Sequence, residues 1–292
     1  MADTRRGGAC PELLKGVPAA TKITEELSSR CERLKESGIT PALAMLRVGE
    51  KPGDLSYESG AEKRCAKIGI AVKKIILPAS ASKDEILGHV REINSDESIH
   101  GLLMFRPLDD KDIESSAREI LSPSKDVDCM TEESLAGVFT GSGTGYPPCT
   151  AQACIELLDF YGIDVAGKNV AVIGRSLVIG RPVSMLLMNR NATVTICHSK
   201  TQNLPAICRN ADIIIAAIGK PKFVGAEFVS EGQTVIDVGI NVDESGNLCG
   251  DVDFDSVSGI VRAISPVPGG VGALTTAVLA KHVIESAEKL LK

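Results

Sequence analysis

The segment best suited to chemistry is Gly174-Arg-Ser-Leu-Val-Ile-Gly-Arg-Pro182, which directly follows the apolar run Val170-Ala-Val-Ile173. A strand, a glycine turn and a helix start in that order offer free N–H groups and the positive end of a helix dipole, which suits a pyrophosphate. Gly174 lets the chain leave the strand tightly, Gly180 permits either close packing or the approach of a phosphate, and Pro182 suits a first helical turn. Ser176 stands where the GxGxxG fingerprint has its middle glycine. The following strand ends Thr195-Ile-Cys-His-Ser-Lys-Thr201, with no acid to hold the ribose hydroxyls. Arg175, Ser199 and Lys200 suit a 2′-phosphate instead, which favours NADP over NAD; the other reading of Arg175 and Lys200 is as ordinary solvated charges. Gly269, Gly270 and Gly272 fall just before a long helical segment, as turn glycines or as backbone brought close to a ligand. The nine cysteines are scattered from Cys10 to Cys249 with no CxxC pair, and there are four histidines. That pattern fits small buried hydrophobes in a reducing compartment better than a zinc site or a disulfide framework.

The elements that must position these residues alternate. Residues 18–37 carry a helical stripe of Ile23, Leu27, Cys31 and Leu34, closed by Gly38. Residues 41–48 read as a buried strand, and a helix capped by Asp54 or Ser56 runs to about Ile68 and ends at Gly69. A strand over 72–77, a helix over 82–94 and a strand over 99–105 follow. Residues 141–148, rich in glycine and proline, are the most linker-like stretch. A helix over 150–161 then opens a second series with strands at 169–173, 192–197, 212–217 and 234–238, and the last helix spans about 272–290. The pattern predicts an α/β fold of two domains with a cleft between them: residues 1–148 plus about 273–292 for the substrate, and 149–272 for a dinucleotide.

Composition limits the partners. The chain has 292 residues, 28 of them glycine, with 3% aromatic residues and a formal charge of -6. The sparse aromatics and the absence of a Lys/Arg block exclude a base-stacking or phosphate-backbone surface, so no nucleic acid is expected. No apolar run approaches a membrane span, and no apolar signal core follows the N-terminal MADTRRGGAC, so a cytoplasmic protein is expected.

The segments already quoted, with Ala216-Ala-Ile-Gly-Lys-Pro221, Asp237-Val-Gly-Ile-Asn241, Gly250-Asp-Val252, Pro266-Val-Pro-Gly-Gly-Val-Gly272, Lys125-Asp-Val-Asp128, Pro148-Cys-Thr150 and the Ser56-Tyr57 helix, resemble the tetrahydrofolate-linked methylene dehydrogenase/cyclohydrolases nearly end to end. The resemblance implies a homodimer with an N-terminal folate-binding domain and a Rossmann domain. It implies that Tyr57 stacks against or aligns the pterin, that Asp128 bonds the pterin's donor edge, and that Pro268, Gly269 and Gly270 line the substrate. It assigns Gly174, Arg175, Ser176, Gly180, His198, Ser199, Gly219, Ile240, Gly272 and Thr275 to the cofactor, and no metal.

The chain departs from the family pattern at several places: Ala61 stands at its lysine position, Phe105 at its glutamine position followed by Arg106 where an apolar residue is usual, the PCTP turn reads Pro148-Cys-Thr-Ala151, and the end of PGGVGPMT reads Gly272-Ala-Leu-Thr275. Hydride transfer depends mainly on placing a carbon against the nicotinamide, whereas hydrolysis of a methenyl cation requires a positioned acid–base group. Ala61 cannot serve as one. Lys63, about 200° round the helix from Ala61, points elsewhere, and Arg106 is a poor base. The expectation is an NADP-dependent methylenetetrahydrofolate dehydrogenase with weak or absent cyclohydrolase activity. Two alternatives stay open: a fully bifunctional enzyme with a substitute for the lysine, and a non-catalytic nucleotide-binding subunit or regulator.

Overall fold

A computed structural model describes residues 10–291; all but Cys10 of the N-terminal MADTRRGGAC segment lies outside them. In chain order the elements are β1 (Glu12–Leu13), α1 (Gly16–Glu36), β2 (Ala42–Val48), α2 (Pro52–Ile68), β3 (Ala71–Leu77), α3 (Lys83–Ser95), β4 (Gly101–Met104), α4 (Lys111–Ile120), α5 (Glu132–Thr140) and α6 (Cys149–Phe160). They continue with β5 (Asn169–Ile173), α7 (Gly180–Met188), β6 (Thr193–Cys197), α8 (Leu204–Arg209), β7 (Ile213–Ala216), β8 (Thr234–Asp237), β9 (Asn241–Val242), β10 (Leu248–Cys249), α9 (Phe254–Ser258), β11 (Ala263–Ile264) and α10 (Thr275–Glu288). The chain forms two compact units.

The first domain holds residues 20–149 and 275–291. Its sheet is parallel, in the order β3-β2-β4. Apolar side chains of β2 and β4 (Leu46, Leu102, Met104) pack with Ile86, Val90 and Ile93 of α3. On α1 the stripe Leu27, Cys31 and Leu34 is buried as its spacing predicts, while Ile23 is half-buried. Helix α2 begins at Pro52 rather than at Asp54 or Ser56, because proline supplies the first turn and no side chain caps it. It ends at Gly69 with φ +95°, whose N–H bonds the Cys65 carbonyl, as the sequence predicts.

The second domain holds residues 10–19 and 150–274. Its parallel sheet runs β1-β11-β8-β7-β5-β6, with β9 and β10 as a small antiparallel pair. Ile173, Ile214, Val235 and Ile264 form its core with Val257 of α9. The β1 segment pairs with β11 here, so this part of the chain belongs with the dinucleotide-type sheet and not with the substrate half of a 1–148 division. Residues 141–148 are also not a loose linker. A Cβ on Gly145 would lie 2.1 Å from the Ser134 hydroxyl, and one on Gly137 would lie 2.0 Å from the Thr144 carbonyl, so this glycine-rich loop is packed onto α5.

Candidate active site

In the first domain the KDVD segment divides its labour. Lys125 Nζ donates to the Ile93 and Asp96 carbonyls at 2.5 and 2.6 Å, tying down the end of α3. The Asp126 carboxylate accepts from Met130 N, Thr131 N and Thr131 Oγ1 at 2.7–2.8 Å. Thr131 then caps α5 through Ser134 N. Asp128 is left free of these structural duties. Its Oδ1 accepts the Cys149 N–H at 3.1 Å, and its Oδ2 lies 3.9 Å from Arg106 Nη2. Val127, beside it, is fixed by His282 Nδ1 at 2.9 Å and by the Cys149 thiol at 3.4 Å, both on its carbonyl.

Tyr57 and Ala61 lie one turn apart on α2. Tyr57 is half-buried, its ring edge-to-face with Phe105 at 6.4 Å and 79°, and its hydroxyl bonds the Thr275 side chain. Ala61 is wholly buried, Phe105 is 5% exposed and Lys63 faces solvent. Phe105 N–H bonds the Leu46 carbonyl, so the residue continues the β4 ladder. Tyr57, Phe105 and Ala61 therefore supply the apolar side of this cluster, and Asp128 and Arg106 supply one carboxylate and one guanidinium.

Burial governs its titration. The Asp128 carboxyl keeps 31% of its exposure on one side but is ringed by protein elsewhere; this raises it above the usual carboxylate range, against the opposing pull of Arg106 and the Cys149 N–H. Burial first, then the neighbouring Cys149 and Asp128, pushes the Tyr57 phenol well above its ordinary value, so it remains a hydrogen-bond donor. Burial and Asp128 hold the Cys149 thiol protonated.

In the second domain the loops after β5, β6, β7 and β8 leave the carboxyl ends of adjacent parallel strands, the customary place for a ligand of an open α/β sheet. Register pairs Ile173 with Cys197, which brings the loop of Arg175 and Ser176 beside that of His198, Ser199 and Lys200. Arg175, Ser176, Ser199 and Lys200 are exposed, and the N–H groups of residues 175–178 donate to no group among the described residues. Ser176 Oγ accepts from Ile179 N at 3.1 Å and so shapes the start of α7. The two loop glycines serve packing: a Cβ on Gly174 would lie 2.1 Å from the Ala217 carbonyl, and one on Gly180 would lie 2.2 Å from the Gly174 carbonyl. His198 is half-buried, its Nδ1 accepting the Lys200 N–H at 3.1 Å.

Two buried carboxylates frame these loops, and sequence reasoning did not single them out. Asp251 accepts from Ile218 N, Gly219 N, Lys220 N and Asn241 Nδ2 at 2.6–3.0 Å. Asp237 accepts from Gly239 N, Asp251 N and Val252 N at 2.9–3.0 Å, and burial raises it to about 6. A Cβ on Gly239 or Gly250 would fall within 2.3 Å of these carboxylates. The available signal was an acid next to glycine in GDV and two residues before glycine in DVGIN. Ile240 is 70% exposed, and Gly272 lies beside it. Pro268 and Gly269 are exposed, while Gly270 is buried against Gly16. Thr275, expected at the cofactor, opens α10 in the first domain, bonded to Tyr57.

Residues 14–128 match the model of the tetrahydrofolate dehydrogenase/cyclohydrolase catalytic domain, and residues 148–291 match that family's NAD(P)-binding domain. The chain belongs to the tetrahydrofolate dehydrogenase/cyclohydrolase family. A curated relative of that family, the bifunctional protein FolD of Clostridioides difficile (strain 630), is 48% identical over 275 residues, covering 94% of this chain and 96% of the relative. The crystal structure of the bifunctional FolD from Campylobacter jejuni superposes with a TM-score of 0.90 at 39% identity, covering 95% of this chain and 99% of that one. The Trypanosoma brucei methylenetetrahydrofolate dehydrogenase-cyclohydrolase, solved with NADP cofactor and an inhibitor, gives a TM-score of 0.90 at 31% identity, covering 97% and 99%. The two-domain α/β fold expected from sequence, an N-terminal catalytic domain and a Rossmann-like C-terminal one, is that of the tetrahydrofolate dehydrogenase/cyclohydrolase family. No helix among the described residues is long and apolar enough to cross a membrane.

Proposed function

We propose that the protein oxidises methylenetetrahydrofolate to methenyltetrahydrofolate with NADP, and that it hydrolyses the methenyl product weakly or not at all. The observation that carries this reading is that fully buried Ala61 stands one turn from Tyr57 and that the Tyr57 ring meets Phe105, so neither position 61 nor position 105 supplies an acid–base group. Tyr57 presents an aromatic face to the pterin, and Asp128 accepts from its donor edge. Pro268, Gly269 and Gly270 are assigned to the substrate by family likeness.

The second domain fits a dinucleotide phosphate on its own evidence. The unpartnered N–H groups of 175–178 would receive the pyrophosphate, and Arg175, Ser199 and Lys200 the 2′-phosphate. When bound, NADP supplies the hydride acceptor. The chain's part is to align the methylene carbon, to keep the Tyr57 hydroxyl protonated and to hold Asp128 through the Cys149 N–H. His198, Gly219, Ile240 and Gly272 complete the cofactor assignment. We place the enzyme in the cytoplasm as a homodimer; its nine cysteines are all free thiols, which accords with a reducing compartment.

The test gives purified protein methylenetetrahydrofolate with NADP and follows nicotinamide reduction separately from methenyl absorbance. Reduction with accumulating methenyl product supports the reading; methenyl loss well above the buffer rate refutes it.

A further inference from the structure

We propose that Arg106 decides which redox level of the folate the first domain retains: by cancelling the charge of Asp128, it makes the recess release the cationic methenyl product. This rests on the folate reading above. Substrate and product differ by one hydride. The methylene bridge is uncharged at its carbon; when that carbon gives a hydride to the nicotinamide, the methenyl bridge carries one positive charge shared between two nitrogens. The rest of the molecule is unchanged, so discrimination between them is chiefly a question of local charge.

Asp128 and Arg106 form the charged pair of this cluster. Asp128 Oδ1 is tied by the Cys149 N–H, and Oδ2 faces Arg106 Nη2 at 3.9 Å, a charge contact longer than a hydrogen bond. The guanidinium is 18% exposed and makes no hydrogen bond among the described residues, so nothing else neutralises it. Tyr57 and Cys149 stay protonated, and Asp126 is consumed by two amides and the Thr131 hydroxyl. With Asp128 ionised the pair sums to zero, whereas a lone carboxylate here would attract a bound cation and retain it.

Two consequences follow for the chemistry. Loss of a hydrolytic residue at position 61 leaves the enzyme no use for a retained methenyl cation. Its consumption then falls to a separate reaction of the hydrolase class, in which water adds to the amidinium carbon and the ring opens to a formamide.

The experiment measures, by calorimetry on the full chain without NADP, the dissociation constants of tetrahydrofolate (uncharged at the reacting nitrogens) and of methenyltetrahydrofolate (cationic). Their ratio is the readout, because general damage to the pocket weakens both. Arg106→Gln is expected to shift the ratio toward the methenyl compound by about tenfold, the size of one unit charge removed at several Å in a partly solvated site. Arg106→Lys is expected to leave the ratio within about twofold of wild type, since the charge remains. Asp128→Asn is expected to move it the opposite way. An unchanged ratio in Arg106→Gln with both ligands still binding overturns the proposal. Failure of the wild-type protein to bind either ligand overturns the folate reading instead.

Discussion

Replacing Asp251 with alanine is expected to cost the second domain much of its stability and to loosen its nucleotide loops. The carboxylate is wholly buried and accepts from Ile218 N at 2.6 Å, Gly219 N at 3.0 Å, Lys220 N at 2.9 Å and Asn241 Nδ2 at 2.9 Å. Hydrogen bonds to a charged acceptor contribute about 1.5–3 kcal/mol each on deletion, but they do not add, because amides on the exposed edge of the 218–220 loop regain water. A net loss of about 3–5 kcal/mol follows, or roughly 10–15 °C in Tm for a domain of this size. Asp251→Asn keeps the volume but turns an NH2 toward amide donors, so it should recover less than half of the loss. Urea unfolding with NADP titration in parallel is the assay: stability should fall in the order wild type, Asn, Ala, with cofactor affinity following. A loss in Asp251→Ala below about 1 kcal/mol would refute the reasoning, since water would then serve these amides as well as the carboxylate does.

Ala61→Lys with Phe105→Gln is expected to create methenyl hydrolysis, measured as absorbance decay above the buffer rate; the same substitutions should lower stability by about 3 kcal/mol, because both sites are buried. Arg175→Ala should raise KM for NADP by about tenfold while leaving KM for NAD within about twofold, as loss of one charge-assisted contact to a phosphate requires; equal effects on both cofactors would remove Arg175 from the 2′-phosphate. Asp237 takes a proton more readily in the folded chain, at about 6, than in the unfolded chain, so its ionisation opposes folding. Its contribution is most favourable below about pH 4 and declines as pH rises to about 6, by about 3 kcal/mol in all. The stability difference between wild type and Asp237→Asn should therefore shrink across that interval in denaturant titrations, and parallel curves would contradict it.

The central strands were legible because their apolar runs are long and bounded by glycine: β5 stands at residues 169–173 as read, and β7 and β8 lie within a residue or two of the expected bounds. The ends of α2 differ in the same terms. Gly69 announces its stop locally, whereas Pro52 starts it without the side-chain cap that Asp54 or Ser56 offered. What stayed hidden depends on distant partners. Strand β1 is two exposed residues held by the Arg262 and Ile264 carbonyls. Asp251 reaches amides more than thirty residues away, so nothing in its neighbourhood marks it as a frame. Residues 141–148 have a linker's composition because close packing against α5 requires glycine as much as flexibility does. At the candidate site, Tyr57, Ala61, Phe105 and Asp128 could be named from the family resemblance. The contact of Arg106 with Asp128 and the bond from Thr275 to Tyr57 needed the fold.

The most direct test is a single-turnover reaction of the wild-type protein with methylenetetrahydrofolate and NADP, resolving methenyl and formyl products against time. The account predicts one equivalent of reduced nicotinamide with a matching amount of methenyltetrahydrofolate, decaying no faster than in buffer. Formyltetrahydrofolate appearing at the rate of nicotinamide reduction would contradict it, and would mean that water is activated in this recess without a lysine at position 61.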